Sequence, residues 1–401
     1  MKHNGWADER FGAVADAFGR NFADYGELGA AVTVFVGGRK VVDLWGGIAD
    51  ERTGRPWTQD TISPVFSCAK GVVSICAHLL AQEGRLDLDA PVARYWPEFA
   101  RGGSARGDSA RGDFVQGGFV RGGKEGITTR MVLGHRAGMP VLDRVLTFEE
   151  IASWMPVVRA MEEQEPLWEP GTAHEYHGHV FGFLVGEVIR RITGRTPGAF
   201  FREVIGDKLG LPTWIGLPDS EAGRLARLVE AAGRPTMPGP ESLVMRTVTM
   251  NGAFAFPGLD EPHGWNDPAL LRAEIPGAGA VSSAGGLAGL YAAAATGVDG
   301  SARLLTPNTV TDAVRELTAG ASWSGFPDVG ARWGTGFLLD SPRFRPMLGG
   351  RSFGNDGAGG QFAFGDDEFG VGFGYVANRM IGHGDARANR LIAAVRESLG
   401  D

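Results

Sequence analysis

The sequence predicts an α+β fold, in which strands from both chain ends form one antiparallel sheet and a helical region is inserted between them. Near each end, two β-rich runs flank a short stretch of turn-forming residues, the pattern of a β-hairpin. A helix with apolar residues at helical spacing lies outside each hairpin. In chain order these predicted elements are a helix over Asp8–Ala23, strands over Ala31–Val36 and Lys40–Trp45, strands over 361–364 and 370–376, and a helix over Asp385–Leu399.

Length and composition indicate one globular domain, residues 1–401. The 43% of hydrophobic residues is enough for a full core, and the 21% of charged residues is too low for a mainly disordered chain. We expect the sheet part of the domain to comprise about 1–98 and 276–401, and the mostly helical part to comprise about 127–275.

Charge and hydropathy argue against two classes of partner. A net charge of −8 does not suit a nucleic-acid-binding protein, which needs a basic surface. No run of about 18 apolar residues occurs, so we expect no membrane span. Residues 1–10 show neither the apolar region nor the small-residue cleavage site of a signal peptide, which predicts a cytoplasmic protein.

A low-complexity segment, 101–124, interrupts the globular pattern. Ser-Ala-Arg-Gly-Asp occurs twice in succession at 104–113, and Phe-Val-x-Gly-Gly occurs twice at 114–123. A repeat with so few apolar residues cannot bury a core, so we predict a flexible surface insertion. The repeat itself explains the Arg-Gly-Asp and Arg-Gly-Gly triplets, without an adhesion or RNA-binding role.

One serine and one lysine stand at a predicted helix start. Ser67 and Lys70 are three residues apart, and a helix places such residues on one face, about 5–6 Å apart at Cβ. A serine hydroxyl becomes a nucleophile when a neighbour removes its proton, and a lysine with a lowered pKa can do so. The same tetrapeptide also fits a helix-capping serine followed by a solvated lysine, and these residues alone leave both interpretations open.

A series of further motifs gives this pair a context. They are Asp87-Leu-Asp-Ala-Pro91, Leu133-Gly-His-Arg-Ala-Gly138, Tyr176-His177-Gly178, Gly277-Ala-Gly-Ala-Val-Ser-Ser283, Asn355-Asp356-Gly357 and Val376-Ala-Asn-Arg-Met380. Together with Ser67-x-x-Lys70, they resemble the serine β-lactamase and penicillin-binding-protein superfamily in its class C-like branch, and most of all the family VIII carboxylesterases. The resemblance covers nearly the whole chain and implies the β-lactamase/transpeptidase-like form of the α+β fold.

The resemblance also implies a serine enzyme that works through a covalent acyl-enzyme. It assigns Ser67 as the nucleophile and Lys70 as its proton acceptor. It assigns Tyr176 as a second general base, whose phenol we expect to titrate below about 10 beside a protonated lysine. Backbone N–H groups of Ser67 and of a residue near Gln361 would form the oxyanion hole, which stabilises the developing negative charge.

The remaining candidates for substrate contact surround these residues. They are Asn355, Asp356, Gly357, His177 and Trp333, with Gln361 beside the oxyanion hole. Trp168 and Trp265 also lie in loop-like stretches. We expect one of the three tryptophans to touch the acyl or alcohol part of the substrate.

Two departures from the superfamily pattern favour esterase chemistry over β-lactam hydrolysis. Related β-lactamases carry Tyr-x-Asn where this chain has Tyr176-His177-Gly178, and Tyr-His is the esterase-like form. They also carry Lys-Thr-Gly, which this chain lacks, and Asn355 stands where such esterases often have histidine. The missing lysine removes the cation that would hold a β-lactam carboxylate, which argues against efficient β-lactamase activity.

Two patterns that resemble other catalytic sites have simpler explanations. Ser352 lies in Gly-Arg-Ser-Phe-Gly, which matches a Gly-x-Ser-x-Gly nucleophile elbow, but a glycine-rich loop and a hairpin follow it where an elbow needs a helix. His174, His177 and His179 do not have the His-Glu-x-x-His spacing of a zinc protease. We therefore expect no metal, and we expect the histidines to line or flank a polar cleft.

Two further patterns give no sign of a cofactor or a disulfide. Gly277-x-Gly279 lacks the third glycine and the preceding strand of a dinucleotide-binding loop, so we predict a tight turn and no cofactor. Cys68 and Cys76 are eight residues apart in one predicted helix, roughly 12 Å along its axis. That distance is too long for a disulfide, so both are expected to be reduced.

We therefore expect a cytoplasmic serine acyl hydrolase, a carboxylesterase that acts on small or medium acyl esters, with a small-molecule ester or amide as its partner. Two alternatives stay open. The same serine, lysine and tyrosine would serve a transacylase that moves an acyl group to an amine or alcohol in secondary metabolism. A non-catalytic, penicillin-binding-like sensor would need acylation of Ser67 but no base for deacylation, so the presence of Tyr176 favours catalysis.

Overall fold

The computed structural model describes residues 3–101, 123–230, 238–255, 258–382 and 385–400. The strands are β1 (Asn4–Ala7), β2 (Gly29–Val36), β3 (Arg39–Asp50), β4 (Arg55–Pro56), β5 (Ser63–Phe66), β6 (Thr213–Ile215), β7 (Val229–Glu230), β8 (Ala280–Ser282), β9 (Thr318–Ala319), β10 (Arg332–Trp333), β11 (Leu338–Leu339), β12 (Ser352–Asp356), β13 (Phe362–Asp366), β14 (Val371–Ala377) and β15 (Arg379–Met380). The α-helices are α1 (Gly12–Tyr25), α2 (Cys68–Gln82), α3 (Pro97–Arg101), α4 (Thr129–Leu133), α5 (Phe148–Ala152), α6 (Met155–Glu163), α7 (His179–Thr193), α8 (Pro197–Phe201), α9 (Leu243–Thr249), α10 (Pro268–Arg272), α11 (Ala284–Ala295), α12 (Pro307–Ala313) and α13 (Arg387–Gly400).

The main sheet contains strands from both ends of the chain. Within the described residues it has ten strands in the order β1-β3-β2-β14-β13-β12-β11-β10-β9, with β4 paired to β3. β2 of the N-terminal hairpin pairs antiparallel with β14 of the C-terminal hairpin, and Val36 lies opposite Val371. The predicted α+β class, with an antiparallel sheet shared by the two chain ends, is therefore confirmed.

The predicted end elements are present with shifted boundaries. Gly37 and Gly38 form the first turn and have positive φ angles of 56° and 77°, which glycine adopts without strain. The second turn lies later than predicted, after Asp366, because Gly365 still pairs with Gly372 in the ladder. α1 begins only at Gly12, after a short 3-10 turn, and α13 ends the described chain.

Helices cover both faces of the sheet because successive strand residues point to opposite sides. On one face, α1 and α13 pack against each other and against alternate residues of β13, among them Phe362 and Phe364. On the other face lie α11 and α2, which enclose Ala363 and Phe353. α11 is buried on nearly every side, which explains its alanine- and leucine-rich sequence.

The helical part of the molecule is joined to the sheet part by a small second sheet. β8 lies at its centre and pairs antiparallel with both β5 and β6, so that Ser282 faces Ser63 on one side and Thr213 on the other. α4 to α10 lie between β5 and β8 in the chain. This pairing brings the residue that follows β5, Ser67, close to the segment that precedes β8.

The predicted surface insertion at 101–124 lies, for residues 102–122, outside the described residues. Its last residue, Lys124, is buried, and its amine donates hydrogen bonds to the carbonyls of Met161 (2.9 Å) and Glu162 (2.6 Å). The amine also lies 4.6 Å from the centre of the Phe99 ring. The segment therefore ends in a lysine that is buried and hydrogen-bonded.

The described helices are short for a lipid environment. In the part of the chain that the structure covers, no helix has both the length and the apolar character that crossing a bilayer requires.

Candidate active site

Helix α2 is almost wholly buried and directly follows Ser67, its N-cap residue. All of its residues from Cys68 to Leu80 are buried, and both cysteines of the helix are free, as predicted. The helix packs tightly at Gly71, where an added Cβ would lie 2.0 Å from the hydroxyl oxygen of Tyr291. Only glycine permits this approach, which fixes the start of α2 against the core.

The residue before Ser67 has an unusual backbone conformation. Phe66 has a positive φ of 47°, which costs a non-glycine residue roughly 1–2 kcal/mol. The turn it makes leads directly from β5 into α2, and its ring packs 4.6 Å from the ring of Trp265. The strained residue therefore shapes both the position of Ser67 and the floor of the cleft beside it, and no local sequence pattern predicts such a conformation.

Ser67, Lys70 and Tyr176 meet at a single oxygen atom. The Lys70 amine donates to Ser67 Oγ at 3.1 Å, and the Tyr176 hydroxyl donates to the same oxygen at 2.8 Å. The amine is held by a second hydrogen bond, 2.8 Å, to the carbonyl of Gly277. The turn predicted at Gly277-x-Gly279 thus contributes a backbone acceptor to the site.

Burial sets the protonation states of this group. Complete burial lowers the pKa of Lys70 to about 7, although the negative charge of Asp356 opposes the shift. Burial also raises the pKa of Tyr176 above its ordinary value, and the hydrogen bond to Ser67 opposes this only in part. The expectation that Tyr176 titrates below about 10 is therefore wrong, because the cost of burying a phenolate outweighs the hydrogen bond to Ser67, and the negative charge of Asp356 adds to that cost.

Two buried histidines hold the backbone on either side of Tyr176. The backbone carbonyl of His135 accepts from the N–H of Glu175 (3.2 Å). The Nδ1 atom of the His135 ring accepts from the N–H of His177 (3.1 Å). The His135 ring also lies 4.9 Å from the Tyr176 ring. Burial lowers the pKa of both histidines, that of His177 to about 4, so both are neutral at pH 7.

His177 itself lies behind the cleft. Its Nδ1 and the Glu175 carbonyl are 2.7 Å apart, and its Nε2 accepts from the N–H of Met139 at 3.2 Å. This arrangement assigns the proton to Nδ1 and leaves His177 with a positioning contact to the loop of Tyr176, and it does not line the cleft.

A cleft of about 610 Å³ opens above Ser67. Of the predicted substrate-contacting residues, Asp356, Gly357 and Trp333 line it, as does Trp265. Trp168 does not line it and instead stacks on Trp323, with ring centres 5.1 Å apart.

Two other predicted residues are committed to structural hydrogen bonds. Asn355 is buried, and its Oδ1 accepts from the hydroxyl of Tyr291 at 3.1 Å. Gln361 is also buried, and its Nε2 donates to the carbonyl of Ala377 at 2.7 Å. Neither lines the cleft, whereas Ala358, three residues before Gln361, does.

One wall of the cleft contains none of the predicted site residues. The segment from Gly320 to Val329, together with Arg343 and Phe344, forms much of that wall. Its loop residues include the exposed Phe326. These residues have no helical or strand periodicity, so no pattern in the sequence could connect them with Ser67.

A buried arginine anchors the turn that borders the cleft at Ala358. Arg387, fully buried on α13, donates to the carbonyl of Gly359. It is paired with the carboxylates of Glu27 (2.7 Å) and Asp385 (2.8 Å). The two ends of the chain therefore hold this turn in place.

The alternative patterns do not form sites. Ser352 begins strand β12, is 1% exposed and lies outside the cleft, so the strand–turn–helix context of a nucleophile elbow is absent around it. His174 and His179 line the cleft, and burial lowers the pKa of each. Among the described residues, no group of three histidine, cysteine or acidic side chains is placed to hold a metal ion.

The sheet shared by both chain ends and the serine with its lysine and tyrosine together define a class of protein, the serine hydrolases with a β-lactamase fold. The family model described as Beta-lactamase matches residues 14–397. The chain belongs to this family.

The similar proteins and solved structures include esterases and a penicillin-binding protein homologue. The chain is 32% identical over 395 residues to "Esterase/beta-lactamase LipL" of Mycobacterium tuberculosis, covering 94% of this chain and 83% of that protein. It is similar to the crystal structure of a family VIII carboxylesterase, with a TM-score of 0.84, 32% identity, and coverage of 99% of this chain and 100% of that one. It is also similar to a penicillin-binding protein homologue from Caulobacter crescentus, with a TM-score of 0.85, 34% identity, and coverage of 99% and 100%. The chain is thus an esterase-like serine hydrolase.

Proposed function

We propose that this protein is a carboxylesterase that hydrolyses small or medium acyl esters through an acyl-enzyme on Ser67. The observation that carries the proposal is the pair of hydrogen bonds from Lys70 and Tyr176 to Ser67 Oγ. The cleft volume of about 610 Å³ suits a small ligand, since such pockets measure about 300–1,000 Å³. Its aromatic lining, which includes Trp265 and Trp333, suits an apolar acyl or alcohol group.

Acylation begins with the neutral form of Lys70. The amine takes the proton of Ser67 as Oγ attacks the ester carbonyl carbon, and the carbonyl oxygen becomes an oxyanion. A pKa of about 7 leaves a large fraction of the amine unprotonated at neutral pH, and the Gly277 carbonyl keeps it beside Oγ. Lys70 therefore acts as the general base of this step.

The oxyanion needs donors that are already in place. The backbone N–H of Ser67 is one, and we assign Ala358 as the other because it lines the cleft and Gln361 does not. The N–H of Gly357, which directly precedes Ala358, is already donated to the carbonyl of Gln361 at 2.8 Å. The bond between Arg387 and the Gly359 carbonyl supports this turn.

Tyr176 then completes the proton transfer as a neutral phenol. When the tetrahedral intermediate collapses, the ester C–O bond breaks, and the Tyr176 hydroxyl gives its proton to the leaving alcohol while it receives one from Lys70. Water attacks the acyl-enzyme by the reverse route, so the acid is released and Ser67 regains its proton. The raised pKa of Tyr176 suits a relay that donates and recovers a proton without a lasting phenolate.

A panel of p-nitrophenyl esters of increasing acyl length, run beside a chromogenic cephalosporin, tests this proposal. We expect steady turnover of the short and medium esters and slow or no turnover of the cephalosporin. Mass spectrometry of the quenched enzyme is expected to show the acyl group on the peptide that contains Ser67.

The product distribution separates the alternatives. Primary amines and alcohols are added at rising concentration, and free acid is measured against new amide or ester. An acyl-enzyme that forms once and is not released would show a sensor, and acyl transfer without free acid would show a transacylase. Either result would overturn the esterase proposal.

A further inference from the structure

The charged side chains that line the cleft are mostly negative. Among its described lining residues, three are carboxylates, Glu175, Asp328 and Asp356, and one is a guanidinium, Arg343. Arg343 is paired with Asp328, with its Nη1 at 3.5 Å and its Nη2 donating to the Asp328 carbonyl at 3.0 Å. The lining therefore has a net negative charge, and its one guanidinium is already engaged.

The histidines that line the cleft add no positive charge near neutral pH. Burial lowers the pKa of His179 to about 4 and also lowers that of His174, so both rings are neutral there. Lys70 lies beneath Ser67 with a pKa of about 7 and loses its charge in the form that accepts the serine proton. At pH 8 the cleft consequently presents carboxylates with little opposing charge.

Asp356 is the carboxylate best placed to act on a substrate. It ends strand β12, directly before Gly357, and its side chain is 33% exposed. Its partner, Arg345, stands 3.3 Å away but is only 11% exposed and does not line the cleft. The guanidinium is held from behind, by Asn389 at 2.8 Å and over the Phe362 ring at 4.9 Å.

This arrangement turns an ion pair into an oriented dipole. The positive end, the Arg345 guanidinium, is held against α13, and the negative end, the Asp356 carboxylate, borders the cleft. Because charge interactions weaken with distance, a substrate in the cleft experiences the nearer carboxylate more strongly than the guanidinium behind it. A second negative charge placed there would be repelled and would also lose its hydration.

We propose that Asp356 makes this cleft selective for uncharged or cationic esters over esters that carry a carboxylate. The inference rests on the proposed esterase function, because it names the substrate class of the same site. Asp356 acts here as a specificity-determining residue and takes no part in proton transfer.

The test uses esters that differ only in a terminal charge. One series has 4-nitrophenyl esters of hexanoic acid, of 6-(trimethylammonio)hexanoic acid and of hexanedioic acid as its monoester. The other has butanoate esters of butanol, 4-(trimethylammonio)butanol and 4-hydroxybutanoic acid, so that charge is placed on the alcohol side. Values of kcat/KM are measured at pH 8 in about 20 mM salt, where screening is weak.

In the wild type, we expect the anionic ester to be at least about tenfold poorer than the neutral one in one of the two series. Asp356→Asn is expected to reduce that ratio to about threefold or less, because the ratio compares the two esters on the same variant and only the anionic ester loses a repulsion. Asp24→Asn is the matched control, because Asp24 is an exposed carboxylate paired with Arg390 on the far side of the sheet. This control is expected to leave the ratio unchanged.

Salt gives a second measurement that needs no variant. Raising the salt to about 0.5 M shortens the screening length and is expected to narrow the wild-type preference. A wild type that treats the charges alike in both series, or an unchanged ratio in folded Asp356→Asn, would overturn the inference. Failure to hydrolyse even the neutral esters would instead overturn the proposed function, so the two failures are distinguishable.

Discussion

Ser67 and Ser352 are both hydrogen-bonded through their side-chain oxygens, yet their surroundings are opposite. Ser67 lines the cleft, and its oxygen accepts from Lys70 and Tyr176, two groups that can exchange protons with it. Ser352 is 1% exposed, and its hydroxyl donates to Asp366 at 2.6 Å. Its oxygen also accepts from two backbone N–H groups of the preceding turn. A serine motif therefore becomes a site only where its oxygen has both a base and access to a substrate.

The largest expected effect separates the two serines directly. Ser67→Ala should abolish covalent labelling by a fluorophosphonate probe and abolish ester turnover, because it removes the oxygen that accepts from both Lys70 and Tyr176 at the cleft. Ser352→Ala should be labelled like the wild type. Labelling that vanished in Ser352→Ala and survived in Ser67→Ala would reverse the comparison.

The next effect concerns the hydroxyl that donates to Ser67. Tyr176→Phe removes the relay but keeps the ring, and we expect turnover to fall by two or more orders of magnitude, since general acid–base catalysis contributes about 10²–10⁴. Tyr291→Phe is the matched control, because its hydroxyl donates to Asn355 outside the cleft. A Tyr176→Phe enzyme within threefold of the wild type would remove Tyr176 from the mechanism.

The pH dependence of kcat/KM tests the difference between the two serines, because Ser67 has a lysine beside it and Ser352 has a carboxylate. Burial lowers the pKa of Lys70 to about 7, and only its neutral form accepts the serine proton. Thus kcat/KM should rise with pH to a plateau above about 8 and fall about tenfold per unit well below 7. His177 and His179, with pKa values of about 4, contribute no step there. A profile that is flat between pH 5.5 and 8.5 would exclude Lys70 as the base.

A smaller effect tests how Tyr176 is positioned. The Nδ1 atom of His135 accepts a hydrogen bond from the His177 N–H. The side-chain oxygen of an asparagine can occupy the place of Nδ1, whereas that of a glutamine occupies the place of Nε2. We expect His135→Gln to lower kcat about fivefold or more, the value of one lost hydrogen bond, with little change in KM. His135→Asn should recover most of that loss. Equal losses in both variants, tracking their melting temperatures, would indicate a purely structural role.

Much of the site was predictable, and the limits have physical causes. Ser67 and Lys70 share a helix face by spacing alone, and the resemblance added Tyr176 from more than a hundred residues away. The second oxyanion donor is predicted only as a residue near Gln361, and Ala358 is the residue there that borders the cleft, since Gly359, with a φ of 81°, turns the chain after it. Local patterns carry no information about such a turn.

Long-range packing accounts for the remaining differences. No role for His135 can be predicted from the motif Leu133–Gly138, because its contacts with the loop of Tyr176 join segments about forty residues apart. The direction in which the pKa of Tyr176 shifts depends on how deeply the phenol is buried, and only the assembled core determines that depth. The four strands of the two hairpins and the two end helices, in contrast, follow from local periodicity and are predicted to within a few residues.

The smallest expected effect belongs to Ser352 and concerns stability. Ser352→Ala leaves the buried Asp366 carboxylate without one donor and leaves the N–H groups of Leu348 and Gly349 without their acceptor. A buried group that loses its partner costs about 1–3 kcal/mol, so we expect a melting temperature lower by a few degrees with esterase activity retained. Ser398→Ala is the matched control, since that buried hydroxyl only donates to the Ala394 carbonyl within α13 and should cost less. An unchanged melting temperature for Ser352→Ala, measured by calorimetry, would mean that its hydrogen bonds add nothing to the fold, and the contrast with Ser67 would then rest on access alone.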